Sequence, residues 1–199
     1  MKIGVLALQG DFALHAKALG RCASATCRID VVEVRKAAEL SGLDGLIVPG
    51  GESTTLLRLM EDGAFVPALE KFHAEDRPLF GTCAGAIVMA RAVENPPQFS
   101  LGLIDVAIER NAYGRQRESF EASGEALLDG RPIPIRMVFI RAPRIRSTGS
   151  GVRVLARHGG DPVLVQQGSV LVGTFHPELT DEPTVHQYFC DMVARSRGR

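Results

Sequence analysis

Residues 79–86 read LFGTCAGA. A short apolar run enters a turn in which Gly81 and Gly85 each stand two residues from Cys83, and a second apolar run, AIVMA, leaves it. A strand, a sharp turn between small residues and a helix make a nucleophile elbow, which lifts the central side chain above the edge of a sheet. A helix starting at Ala84 aims its free amides and positive dipole end at the thiol, and that field favours the thiolate. The same pattern also occurs around a buried structural cysteine, so Cys83 needs partners before it counts as a nucleophile.

The segments before the elbow alternate strand with helix. Lys2 to Leu8 is an apolar run, Asp11 is placed to cap a helix over Phe12 to Leu19, and Asp30 to Val34 is β-branched. Gly45 to Val48 reads as a third strand, Thr54 to Glu61 and Phe65 to His73 as helices, and Pro78 to Phe80 as the strand entering the elbow, with Ala84 to Ala90 leaving it. This order predicts an α/β fold with a mostly parallel central sheet and helices on both faces. After Pro96 and Pro97, strand-like segments crowd together at Ile104 to Ile108, Ile133 to Ile140, Val152 to Ala156, Val163 to Gln167 and Leu171 to Phe175. They predict an antiparallel extension in the C-terminal half, or a small second sheet. Pro183 to Arg195 closes the chain as a helix. Neither a repeat nor a linker interrupts residues 1–199, which read as one domain.

Composition narrows the class. Acidic and basic residues number 23 each, so the formal net charge is zero. That argues against nucleic acid or an anionic membrane as a partner. No apolar run approaches the roughly 20 residues of a membrane span. The start, MKIGVLALQG, reads as a buried strand rather than a signal peptide, which places the protein in the cytoplasm. Cys22, Cys27, Cys83 and Cys190 then read as free thiols, and the spacing of Cys22 and Cys27, with no second pair, argues against zinc.

A thiolate nucleophile needs a base. His15, His73 and His186 fall in amphipathic helical stretches and read as surface residues, and His158 falls in a turn. His176 differs: it ends an apolar strand in GTFHPEL, with Glu178 two residues on. In extended chain those two side chains share a side, so the carboxylate is placed to orient the imidazole. The bland reading is a His-Pro turn beside an unrelated acid. The glycines of PGGEST, residues 49–54, let backbone amides approach a ligand and supply part of an oxyanion hole, with the Ala84 amide as the other donor. From this stretch alone, an ordinary glycine turn capped by Ser53 or Thr54 ahead of a helix is the better reading. Arg110, Arg115, Arg117, Arg141, Arg144 and Arg146 offer partners for a substrate carboxylate, and the sequence does not choose among them.

Five stretches together, LALQGDF, PGGEST, GTCAGA, ERNAYGRQ with FIRAP, and FHPEL, resemble the glutaminase subunits of pyridoxal 5′-phosphate synthase, a branch of the triad glutamine amidotransferases. They run in that family's order from near residue 6 to residue 180. The resemblance implies a three-layer α/β sandwich, with Cys83 as nucleophile, His176 as base and Glu178 as its orienter. It implies L-glutamine contacts at Gly51, Glu52, Ser53, Arg110, Ile140 and Arg141, an oxyanion hole at Gly51 and Ala84, and neither cofactor nor metal. It further implies a hetero-oligomer with a synthase subunit that receives the ammonia and whose docking raises the glutaminase rate. The connection RCASATCRID, residues 21–30, looks a few residues longer than is usual in bacterial members. Rival readings are an ammonia-donating subunit for imidazole glycerol phosphate synthesis, a non-enzymatic module of the same fold, and a cysteine peptidase or other hydrolase with the same elbow. ERNAYGRQ and FIRAP weigh against the first, and the presence of all three triad residues weighs against the second.

Overall fold

The computed structural model describes residues 1–23, 28–110 and 119–198. Five strands in parallel form one half of a nine-stranded sheet. They are β1 (Lys2–Leu6), β2 (Asp30–Val34), β3 (Gly45–Val48), β4 (Leu79–Thr82) and, from the far end of the chain, β12 (Val170–Gly173). Their spatial order is β2-β1-β3-β4-β12. The sheet continues antiparallel through β11 (Asp161–Gln167), β10 (Arg153–His158), β7 (Ser119–Leu128) and β8 (Arg131–Ile140). The antiparallel extension therefore matches the parallel part in number of pairings. A second sheet of three strands joins β5 (Ala90–Glu94), β6 (Ile104–Glu109) and β9 (Arg144–Thr148). Both options left open for the C-terminal half are realised.

The central strands are apolar on both faces because each face carries its own core. Leu46 and Val48 of β3 and Val170 and Val172 of β12 pack toward α2 (Ser53–Asp62), α3 (Phe65–Ala74), α4 (Ala84–Met89) and the small sheet. Their pleat neighbours Ile47 and Leu171 point the other way, toward α1 (Phe12–Cys22) and α5 (Thr184–Arg197). That alternation of period two makes the three layers. No helix among the described residues is long and apolar enough to cross a membrane.

Element boundaries shift by a few residues. The first strand ends at Leu6, α1 runs on to Cys22, and the last helix begins at Thr184 behind Pro183. The expected helix from Ala84 to Ala90 ends at Met89, and the chain passes directly into β5. Asp11 precedes α1 but makes no side-chain cap bond; its main-chain carbonyl accepts from the amides of Leu14 and His15 instead. Glu52, rather than Ser53 or Thr54, caps α2, and its carboxylate accepts from the amides of Thr54 (3.1 Å) and Thr55 (2.6 Å). His15 and His186 are not surface residues: both are fully buried where α1 packs on α5. Cys22, Cys83 and Cys190 are buried and form no disulfide among the described residues; Cys27 and residues 24–26 of the longer connection lie outside the described residues.

Candidate active site

The elbow forms as read. Cys83 stands between β4 and α4 with φ 47° and ψ −101°, a conformation a non-glycine residue rarely takes. Strain of this kind costs on the order of 1–3 kcal/mol and persists where surrounding bonds over-determine it. Here the Cys83 amide donates to the Gly173 carbonyl of β12 at 2.9 Å, and the Cys83 carbonyl accepts from the Ile87 amide at 3.1 Å. The flanking glycines answer to close packing. A Cβ on Gly85 would lie 2.1 Å from the Val48 carbonyl oxygen, and one on Gly81 2.8 Å from the Gly85 backbone.

The other half of the site arrives on β12, the parallel neighbour of β4. His176 follows that strand by three residues, and its amide is held by the Val138 carbonyl of β8 at 2.8 Å. Glu178 lies on the 3₁₀ turn Pro177–Leu179, and its Oε1 accepts from His176 Nδ1 at 2.8 Å. Cys83 adjoins the ring: a Cβ on Gly50 would lie 2.6 Å from His176 Cε1 and 3.3 Å from Cys83 Cβ. Thiol, imidazole and carboxylate therefore lie in one line, and all three are buried. Burial disfavours a charged imidazole, but the bonds to Cys83 and Glu178 outweigh it and raise the His176 pKa to about 10. Burial works against the Glu178 charge, but the contacts with His15 and His176 outweigh it and hold the carboxyl far below the ordinary range.

A cavity of about 230 Å³ opens over this line. Cys83, His176, Gly51, Glu52, Ser53, Arg110, Ile140 and Arg141 all line it, so eight of the residues singled out in the sequence converge on one pocket. Glu178 sits behind His176, and Ala84 sits below Cys83 at the first turn of α4. Gly51 has φ 138°, open to glycine alone, and a Cβ there would strike the Gln9 side chain at 2.5 Å. Arg110 Nη2 donates to Thr54 Oγ1 at 3.2 Å and lies 3.5 Å from Glu52 Oε1. Arg144 and Arg146 face Asp161 and Glu109 instead. Arg115 and Arg117 lie outside the described residues.

Three contributors were missed from sequence. Asp11 and Ile87 line the pocket, and Asp11 brings a carboxylate oxygen within 4.8 Å of ligand atoms of His176 and Glu178. Gln9 braces the glycine loop: its Oε1 accepts from the Glu52 amide at 3.2 Å and its Nε2 donates to the Glu52 carbonyl at 3.3 Å. The signal for Gln9 and Asp11 was their place after the first parallel strand, since ligands of open α/β sheets gather at carboxyl ends of strands.

A profile of the SNO glutamine amidotransferase family matches residues 5–195. A pyridoxal 5′-phosphate synthase subunit PdxT from Koribacter versatilis is 52% identical over 193 residues, covering 97% of this chain and 96% of the relative. The PdxT subunit of Thermotoga neapolitana is 47% identical, with 97% of this chain and 100% of the relative aligned. A crystal structure of a glutamine amidotransferase superposes with a TM-score of 0.86 at 47% identity, over 96% of this chain and 98% of its own. Matched over almost its whole length, the chain belongs to the SNO glutamine amidotransferase family.

Proposed function

We infer that this chain is the glutaminase subunit of a pyridoxal 5′-phosphate synthase, hydrolysing L-glutamine to L-glutamate and ammonia. Cys83 and His176 side by side in a pocket with two arginines, with Glu178 bonded to the far side of the imidazole, is the observation that carries the reading. The PdxT names of relatives at 45–52% identity favour this acceptor over imidazole glycerol phosphate synthesis.

Cys83 thiolate attacks the side-chain amide carbon of glutamine, and the carbonyl electron pair moves onto oxygen. The amides of Gly51 and Ala84 are assigned to that oxyanion, an effect worth about 3 kcal/mol per well-placed donor. His176 gives its proton to the leaving nitrogen, the C–N bond breaks, and ammonia departs. A γ-glutamyl thioester remains on Cys83. His176 then takes a proton from water as its oxygen attacks the thioester; glutamate leaves and the thiolate–imidazolium pair is restored. Glu178 holds the Nδ1 proton throughout and stabilises the charged ring. Two easier steps replace one difficult amide hydrolysis. Neither step requires a metal or cofactor.

Arg110 and Arg141 are assigned to the glutamine α-carboxylate, with Glu52, Ser53 and Ile140 shaping the rest of the pocket. Residues 1–199 act as one catalytic domain in the cytoplasm. Ammonia in bulk water protonates and ceases to be a nucleophile, so the partner is a synthase subunit that receives it within a hetero-oligomer. Docking completes the oxyanion hole by reorienting a peptide of the glycine loop, for which Gly51 has the backbone freedom.

The test is a coupled assay with amide-¹⁵N glutamine and the cognate synthase. Label is expected in pyridoxal 5′-phosphate, with glutamine hydrolysis slower when the synthase is left out. Absence of label, or undiminished turnover in purified Cys83→Ala, overturns the reading.

A further inference from the structure

The line Cys83–His176–Glu178 accounts for only one oxygen of the Glu178 carboxylate. The other, Oε2, is buried and makes no hydrogen bond meeting ordinary geometry within the described residues. A buried carboxylate left half satisfied is costly. His15 Nε2 lies 3.4 Å from it. His15 is itself fully buried on α1 and belongs to no part of the hydrolysis described above. Its Nε2 also lies 3.1 Å from Thr82 Oγ1, on the residue before the nucleophile. Its Nδ1 lies 2.9 Å from His186 Nε2 on α5.

These contacts fix which nitrogen of His15 carries the proton facing Glu178. Burial holds the His186 pKa down to about 3, so His186 is neutral and has one N–H. Nδ1 of His186 is buried with no partner among the described residues. The arrangement that gives every N–H an acceptor places the His186 proton on Nε2, donated to His15 Nδ1. His15 then presents Nε2–H between Thr82 Oγ1 and Glu178 Oε2. A closed circuit results. It runs from Cys83 to His176 to Glu178 to His15 to Thr82, and returns to Cys83 along the chain. The charged or titratable groups facing it are Asp11 before α1, His15 and Arg21 from α1, His176 on the loop of Glu178, and His186 from α5.

We propose that His15 is a positioning residue for the triad carboxylate: backed by His186, it fixes Oε2 of Glu178 so that Oε1 stays aimed at His176. The proposal rests on the glutaminase reading. Its test compares three substitutions by where they place a polar group. His15→Gln keeps an amide N–H at the reach of Nε2. His15→Asn reaches only as far as Nδ1 and so meets His186 but not Glu178. His15→Leu keeps neither.

Each full-length variant is assayed for glutaminase activity with the synthase present, and for the rate of Cys83 alkylation by iodoacetamide at neutral pH with no glutamine. His15→Leu and His15→Asn are expected to lose about 10–100-fold in kcat, the usual effect of removing an outer hydrogen-bond partner, with little change in KM. His15→Gln is expected to keep most of the activity, and alkylation should slow in the same order. Equal activity of the Asn and Gln variants, or activity near wild type in His15→Asn, overturns the proposal; should the Leu variant fail to fold, the Gln and Asn pair decides. If the wild type hydrolyses no glutamine, the function is wrong, and alkylation still reads the role of His15.

Discussion

Gly50→Ala tests the geometry of the site with one methyl group. A Cβ on Gly50 would lie 2.6 Å from His176 Cε1, 3.2 Å from His176 Nδ1 and 3.3 Å from Cys83 Cβ. Ordinary carbon contact begins near 3.4–3.5 Å, so the imidazole must retreat by roughly 0.8 Å or the loop must move by as much. The ring cannot retreat without stretching its 2.8 Å bond to Glu178 or leaving its place beside Cys83. A misplacement near 1 Å costs on the order of 10²-fold in rate. The expected result is a kcat lower by about that factor in the glutaminase assay with synthase present. The fold should survive, because Gly50 does not need a left-handed backbone. Thermal unfolding should therefore shift by only a few degrees, about 2–4 °C for each kcal/mol in a chain of this size. A folded Gly50→Ala protein with near-normal kcat would refute the claim that His176 and Cys83 work from these positions.

Glu178→Gln presents an amide to His176 Nδ1 and turns the ring toward the wrong tautomer, so kcat should fall by about 10³–10⁴-fold while the Tm changes little. His176 is raised to about 10, so the pH profile of kcat should hold through neutral pH and decline as the ring loses its proton near that value; in Glu178→Gln the alkaline limb should move to lower pH. Arg110→Met removes a cation from the pocket and should raise KM for glutamine by about 10–100-fold, the worth of one charged hydrogen bond, with a smaller change in kcat. Glu52→Ala removes the α2 cap, and at this half-exposed position it should cost about 1 kcal/mol or less. Bonds from Thr54 and Thr55 outweigh partial burial and lower the Glu52 carboxyl from 4.5 to about 2, so the wild-type advantage should be complete above pH 4.5 and fade as pH falls toward 2 in acid-unfolding curves.

The parallel half of the sheet was legible because its strands are short, apolar and bounded by turns: Asp30–Val34 and Gly45–Val48 stand where the sequence put them. Strand β7 was not, since SFEASGEALL mixes acids and a glycine with good helix formers, and only its ten-residue ladder with β8 makes it a strand. Strand β5 went unread: the expected helix ran from Ala84 to Ala90 with nothing assigned after it, and pairing with β6 makes ARAVE a strand. The triad was legible because its chemistry demands particular residues after particular strands. The histidine pair behind it was not. His15 and His186 each sit in a helix of mixed polarity, and they meet across the α1–α5 contact, 171 positions apart in sequence. Glu52 as the cap was equally hidden, because local preference ranks the serine and threonine beside it higher.

Trapping the intermediate bears most directly on the central claim. The protein in complex with its synthase is mixed with L-glutamine, quenched in acid within a single turnover, digested and weighed. A γ-glutamyl adduct is predicted on the peptide that carries Cys83, absent when Cys83 is replaced by Ala. Rapid glutamine hydrolysis with no adduct on that peptide, or with one on a different residue, would contradict it.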